Sequence, residues 1–376
     1  MKIVILGPAH PYRGGLASIM ETMAREYMRR GDEVKVYTFS LQYPSLLFPG
    51  KSQEVDTPAP RDLHIERVVN TCNPLNWVTL GERLRREAPD MILMKYWTPF
   101  MAPCFGTIAR IARKNGKTKV VCQIDNVEPH EHHLVDKPFN RYYLGAVDGF
   151  VYMSEQVGGE LRAYTSAPAL FSPHPMFENF GERIERSEAC RHLGLDTSKR
   201  YILFFGLIRD YKGLDILLEA FEKVVKEGRN EDLRLLVTGE FYNDKSQYDT
   251  LLERLGERVV LHEGFVKDED VKYYFSVADA LVLPYRTATQ SGVTQVAYNF
   301  SLPMVVTCVG GLPEIVPDGR VGLVCEPTVE GVRKAIEQLY EGDVLQHFID
   351  NFSEERKRFS WATMCDKLIE VWNLTK

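Results

Sequence analysis

The stretch Phe204-Phe205-Gly206-Leu207-Ile208-Arg209-Asp210-Tyr211-Lys212-Gly213-Leu214-Asp215 decides how the rest of the chain is read. An apolar run from Tyr201 stops at Gly206, and apolar residues resume at Leu214, Leu217, Leu218 and Phe221 with helical spacing. This predicts a strand, a tight loop and a helix, with Arg209 and Lys212 held at the helix entrance. A guanidinium grips phosphate oxygens two at a time, and an ammonium adds a compact point charge. The free N–H groups and positive dipole end of the helix behind them suit the same anion. Two solvated charges in a surface loop are the bland alternative, and spacing alone does not separate the two. A second anion-friendly turn downstream favours the phosphate.

That strand–loop–helix unit sits in a series of others. Before it, strands are expected at Lys2–Leu6, Val34–Phe39, His64–Val69, Met91–Tyr96, Lys119–Ile124 and Gly149–Ser154, with helical patterns between most of them. Residues 42–62, with Pro44, Pro49, Pro58 and Pro60, read as a long surface loop. After the Pro-rich segment Ala167–Pro175, a second series runs Tyr201–Phe205, Leu233–Gly239, Val259–Val266, Ala280–Pro284, Met304–Thr307 and Gly322–Cys325. Strands alternating with helices at this pitch give parallel sheets covered on both faces. The expected fold is α/β, with two Rossmann-like doubly wound domains facing a cleft. Their expected bounds are 1–175 and 176–360, with 361–376 as a C-terminal helix. Ligands of such sheets bind beyond the C-terminal strand ends.

Composition limits the function classes. The 376 residues are 44% hydrophobic and 26% charged, as in soluble globular proteins. The first residues, Met1–Gly7, form one short apolar run, too short for a signal peptide or a membrane span, and no later run reaches membrane-spanning length. Seven cysteines, an odd number without CxxC spacing, argue for buried cytosolic thiols rather than a disulfide framework, so a cytoplasmic location is expected. The net charge of −6 divides unevenly: residues 1–175 carry 21 Lys and Arg against 18 Asp and Glu, and the remainder 25 against 34. That is no nucleic-acid footprint. The mildly basic first half suits an anionic acceptor or peripheral contact with the cytoplasmic membrane face, and solvated helix faces account for it equally well.

Three further stretches carry candidate chemistry. Tyr285-Arg286-Thr287-Ala288-Thr289-Gln290-Ser291-Gly292-Val293-Thr294-Gln295 follows a strand and opens a helix with small and polar residues, which offers N–H groups to an anion or to sugar hydroxyls. Gly310-Gly311-Leu312-Pro313-Glu314 reads best as a structural turn. Asp125-Asn126-Val127-Glu128-Pro129-His130-Glu131-His132-His133 follows a strand directly. Its adjacent histidines do not make a closed ligand set, so no metal site is expected. Asp125, Asn126 and His130 read instead as residues that orient a hydroxyl or stabilise charge. Gly14 and Gly15, at the first strand-to-helix turn, allow close backbone approach to a ligand, but they do not form GxGxxG and no acidic residue ends the second strand.

Taken together, the residues resemble the GT-B fold glycosyltransferases of family 4. The likeness rests on Gly14-Gly15-Leu16, Gly31-Asp32-Glu33-Val34, Arg209 and Lys212 in their turn, Ala278-Asp279, Leu283-Pro284-Tyr285, Gly310 to Gly319, and Gly322-Leu323-Val324. It implies that Arg209 and Lys212, in the turn opened by Gly206, bind the diphosphate of a UDP- or GDP-linked sugar. It further implies that Gly14 and Gly15 approach donor or acceptor, and that backbone at Gly264, Phe265 and Val266 meets the base. The family's usual paired glutamates fall at Ala288 and Val296, counting back from Pro303, so that motif is absent. Gln290 and Gln295, around Ser291-Gly292-Val293, stand close by to take over polar contacts. The usual strand-end histidine is replaced by Asp125-Asn126. The implied activity is retaining, metal-independent transfer of a sugar to a saccharide or lipid-linked acceptor, in surface polysaccharide or glycolipid synthesis, with no cofactor beyond the donor. The C-terminal helix is implied to cross back to the N-terminal domain. An epimerase or phosphorylase on the same scaffold, or a non-catalytic partner subunit, are the alternatives.

Overall fold

The computed structural model describes residues 1–12, 15–44, 54, 58–128, 135–176, 180–226, 230–242, 244–288 and 291–376. The chain divides into two compact units, Met1–His174 with Trp361–Lys376, and Pro175–Ser360.

The first unit runs β1 (Lys2–Leu6), α1 (Gly15–Arg29), β2 (Glu33–Leu41), β3 (Ile65–Asn70), α2 (Pro74–Glu87), β4 (Met91–Tyr96), α3 (Ala102–Ala112), β5 (Lys119–Ile124), α4 (Asp136–Leu144), β6 (Gly149–Tyr152), α5 (Glu155–Arg162) and β7 (Ala169–Phe171). All of its strand pairs are parallel, in the order β3-β2-β1-β4-β5-β6-β7. Helices cover both faces, so β4 is buried along its whole length and its residues are apolar except Lys95. Met20, Met23, Ala24 and Tyr27 form the buried stripe of α1. Asn73 starts α2 by accepting from the N–H groups of Leu75 and Asn76, with Pro74 as the first helical residue.

The second unit runs α6 (Arg186–Leu193), β8 (Arg200–Phe205), α7 (Leu214–Lys226), β9 (Leu233–Gly239), α8 (Ser246–Leu255), β10 (Val259–Glu263), α9 (Asp268–Val277), β11 (Ala280–Leu283), α10 (Gly292–Asn299), β12 (Met304–Thr307), α11 (Leu312–Ile315), β13 (Gly322–Cys325), α12 (Val329–Leu339) and α13 (Val344–Glu355). Its sheet is also parallel, in the order β10-β9-β8-β11-β12-β13. The structure thus has two parallel-sheet α/β Rossmann-like domains. In each sheet the winding direction reverses beside the first strand, between β1 and β4 and between β8 and β11. Those two switch points are where such sheets open a crevice for ligand.

The last helix, α14 (Trp361–Leu374), returns to the first unit. Its stripe of Trp361, Met364, Cys365, Leu368 and Val371 is buried with Met20, Met23, Ala24 and Tyr27 of α1. Arg30 pairs with Asp366 at 2.6 Å, and the Trp372 indole N–H donates to the Asp90 carbonyl at 3.1 Å. A Cβ on Gly149 would lie 2.3 Å from Val371 Cγ1, so glycine is what lets α14 lie this close to the sheet.

Local pattern and structure part company in the segment Ala167–Pro175, which reads as a boundary but contains β7. Three residues between prolines show no period, and only pairing with β6 makes them a strand. β10 ends at Glu263 rather than Val266, because Gly264 takes a φ of 128° that no strand continues through.

Candidate functional site

The quoted turn lies at the switch point of the second unit. β8 ends at Phe205, Arg209 leads into a 3₁₀ turn over Asp210–Lys212, and α7 follows. Two glycines make the turn possible. Gly213 has a φ of 67°, and a Cβ there would lie 2.1 Å from the Pro284 carbonyl oxygen. A Cβ on Gly239, at the end of β9, would lie 1.9 Å from the Gly206 carbonyl oxygen. Backbone therefore packs on backbone around the turn, and no side chain fits between.

Lys212 is only 9% exposed. Burial, and then the charge of Arg209, push its ammonium down to about 8. Its Nζ lies 5.5 Å from the centre of the Tyr285 ring. The Arg209 guanidinium stacks 4.1 Å over Tyr242, and its Nε is buried without a partner among the described residues. Neither cation has an ion-pair partner among the described residues. Two carboxylates of the same turn and helix are engaged by other residues: Asp215 pairs with Arg286, and Asp210 accepts from Gln247. Two neighbouring cations, one of them largely buried and neither ion-paired among the described residues, give this turn the chemistry to bind an anion.

The second stretch comes to the same place. Arg286 donates its backbone N–H to the Tyr211 carbonyl at 2.7 Å and its guanidinium to the Asp210 carbonyl at 2.8 Å, and it pairs with Asp215 at 2.5 Å. It ties the β11–α10 connection to the 3₁₀ turn, with its own charge spent on Asp215. A Cβ on Gly206 would come within 3.7 Å of Val293 and 3.4 Å of Lys212 Nζ, so the first turn of α10 faces the cations. Ser291 lies 3.4 Å from the Tyr285 hydroxyl, and Gly292 opens the helix. Gln295 is buried, with its Oε1 unpartnered among the described residues. Ala288 and Val296, at the places of the absent glutamates, pack into the apolar core. Gly264 donates its N–H to the Gly239 carbonyl at 3.0 Å, and Phe265 beside it is 79% exposed. Gln290 lies outside the described residues. Gly310-Gly311 leads into α11, where the Tyr298 hydroxyl donates to the Ile315 carbonyl. Gly310 is exposed and Gly311 partly so, while Leu312 and Ile315 of α11 are buried in the core.

In the first unit, Gly15 begins α1, while Gly14 and His130 lie outside the described residues, as do Glu131, His132 and His133. Asp125 directly follows β5, and its Oδ1 accepts from Lys95 Nζ at 2.6 Å. Asn126 beside it is partly exposed. Lys95 is fully buried at the end of β4, and a Cβ on Gly7 would lie 3.3 Å from its Cβ. Sequence reasoning passed over Lys95, although one lysine inside Met91-Ile92-Leu93-Met94-Lys95-Tyr96 was the signal. Tyr242 and the clamp formed by Arg286 had no local signal, because their roles exist only once distant loops meet. Among the described residues, no group of three or more His, Cys, Asp or Glu is placed to hold a metal ion. Among the same residues, no helix is long and apolar enough to cross a membrane.

With that geometry in place, comparison with known proteins is informative. Residues 199–342, which include both cations and α10, match the family described as Glycosyl transferases group 1. The match covers 144 of the 376 residues, and it is this segment that resembles a group 1 glycosyl transferase domain. Over 190 residues the chain is 27% identical to D-inositol 3-phosphate glycosyltransferase of Corynebacterium aurimucosum, a match spanning 49% of this chain and 45% of that relative. Spore coat protein SA of Bacillus subtilis is 24% identical across 99% of both chains. The crystal structure of Anabaena HepE in complex with UDP and glucose superposes with a TM-score of 0.63 at 15% identity, over 98% of this chain and 99% of that one. The shared fold is that of GT-B glycosyltransferases. The matched segment lies within the second unit and includes both cations.

Proposed function

We propose that the protein is a retaining, metal-independent glycosyltransferase of the family 4 type. It moves a sugar from a UDP- or GDP-linked donor to a hydroxyl of a saccharide or lipid-linked glycan, in surface polysaccharide or glycolipid synthesis. The observation that carries this reading is the pair Arg209 and Lys212, unpaired at the switch point of the group 1 domain. A relative named as a glycosyltransferase, and a fold neighbour solved with UDP and glucose, point the same way.

In the proposed reaction the anomeric C–O bond to the diphosphate breaks, and its electron pair stays on the departing phosphate oxygen. Arg209 and Lys212 stabilise that growing charge more in the transition state than before it. The N–H groups opening α10 and the side chain of Gln295 supply further polar contacts to the donor, and the backbone at Gly264 and Phe265 receives the base. The acceptor hydroxyl forms the new bond on the same face and passes its proton to the leaving phosphate oxygen. With the leaving group as base and two protein cations in place, neither a protein nucleophile nor a divalent cation is required. Asp125 and Asn126 are assigned to the acceptor hydroxyls.

The test is a panel of UDP- and GDP-sugars with saccharide and lipid-linked acceptors, read by thermal shift and by nucleotide release. One nucleotide class should raise the melting temperature and be turned over. An epimerase would convert the donor without releasing nucleotide, a phosphorylase would require inorganic phosphate, and a partner subunit would turn over nothing. Absence of any nucleotide-induced shift would refute the anion site itself.

A further inference from the structure

The first unit places three polar side chains on one face of its sheet beside the β1/β4 switch point. Lys95 on β4 is in register with Gln123 on β5, and Asp125 follows Gln123 by two positions, one residue past the end of β5. Lys95 and Gln123 are both fully buried, and the Lys95 ammonium donates to Asp125 Oδ1 at 2.6 Å. Gln123 donates to the sulfurs of Met153 and Met364, while its Oε1 is unpartnered among the described residues. Asp125 Oδ2 likewise has no partner among them, and the Asp125 side chain keeps 15% exposure. Every other residue of β4 is apolar or aromatic and equally buried.

An ammonium placed there is costly to desolvate, and apolar residues of similar volume in place of a buried ion pair often leave stability unchanged or raise it. A methionine at position 95 would continue the run of Met91, Ile92, Leu93 and Met94. The charge is therefore not explained by packing. What it does achieve is to hold one oxygen of Asp125, a partly exposed residue just past the C-terminal end of a central strand, where ligands of this fold bind.

We propose that Lys95 is a positioning residue whose buried ammonium fixes the Asp125 carboxylate, so that the free oxygen of Asp125 accepts a hydrogen bond from a hydroxyl of a neutral polyhydroxyl acceptor. The inference rests on the transferase reading above and specifies its acceptor side. Lys95 touches no substrate. It acts through Asp125, holding the carboxylate in place through the hydrogen bond to Oδ1. A carboxylate that accepts a hydroxyl's hydrogen bond and is itself held by a charge discriminates strongly against an acceptor lacking that hydroxyl.

The test uses the full chain as wild type, K95M, D125N and K95M/D125N. Three quantities are read: melting temperature, the melting shift produced by UDP or GDP, and the kcat and KM of transfer from the donor that turns over in the panel. K95M alone strands Asp125 beside an apolar side chain and should melt lower, which is why the double variant is needed. The double variant should melt at or above wild type, with the nucleotide-induced shift unchanged. Acceptor kcat/KM should fall about tenfold to a hundredfold in K95M and at least as far in D125N, with the donor KM unchanged. Because Lys95 works through Asp125, the double variant should be no worse than D125N. A double variant that melts several degrees below wild type would show that the pair is structural and overturn the proposal. Wild-type turnover in K95M, or losses that multiply in the double variant, would overturn it as well. If wild type releases nucleotide from no donor, the transferase reading fails, while the melting comparison still decides whether the pair serves stability.

Discussion

Lys212→Met should make the protein more stable and less able to hold nucleotide. The ammonium is 9% exposed, and burial with the neighbouring charge of Arg209 lowers it from the ordinary 10.5 to about 8. At about 1.36 kcal/mol per pKa unit, a fall of that size means that charging Lys212 in the folded chain costs about 3 kcal/mol. The cost is full below about pH 8, where folded and unfolded chains both hold the proton. It disappears as pH rises from 8 towards 10.5, where the folded chain has released the proton and the unfolded chain still holds it. Methionine at this position removes the cost, so urea unfolding at pH 7 should show a gain of up to about 3 kcal/mol, shrinking above pH 8. Nucleotide binding should move oppositely. The diphosphate requires the charged form, so affinity in wild type should hold steady below about pH 8 and fall above it, approaching tenfold per pH unit. The variant should bind more weakly, and this dependence on Lys212 should be gone. Isothermal titration with UDP and GDP from pH 6 to 10, beside the unfolding series, measures both halves. A variant less stable than wild type at pH 7, or one that keeps wild-type nucleotide affinity, would refute the argument that the buried ammonium is maintained for an anion.

Arg209→Ala should lower kcat by roughly a hundredfold or more while leaving the melting temperature close to wild type, because the guanidinium stacks on the exposed Tyr242 and has no ion pair among the described residues. Nucleotide release should persist in excess EDTA; complete loss restored by magnesium or manganese would overturn metal independence. Gly213→Ala should destabilise the second unit and abolish nucleotide-induced stabilisation, since its Cβ would lie 2.1 Å from the Pro284 carbonyl oxygen. Leu368→Ala, at a fully buried position of α14, should cost about 2–5 kcal/mol in urea unfolding, with nucleotide affinity unchanged because α14 belongs to the first unit.

Much of this protein is legible locally. Hydrophobic periodicity places nearly every strand of both sheets, because a parallel strand covered on two faces must be an apolar run and its helices must alternate with it. The Gly206–Gly213 turn with its two cations is likewise a feature of neighbouring residues. The stripe of Trp361, Met364, Leu368 and Val371 announces an amphipathic helix, yet nothing along the chain says which sheet receives it. Tertiary structure alone decides that α14 packs on α1, that Arg286 spends its charge clamping the Asp210–Lys212 turn, and that Val296 is buried in the core with Ala288 packed against it. The three residues of β7 become a strand only through hydrogen bonds to β6. Above all, Lys95 and Asp125 are thirty positions apart, and only the parallel register of β4 and β5 makes them a pair. Periodicity records which face of an element is buried, whereas the partner waiting at that face is set by contacts between residues far apart in the chain.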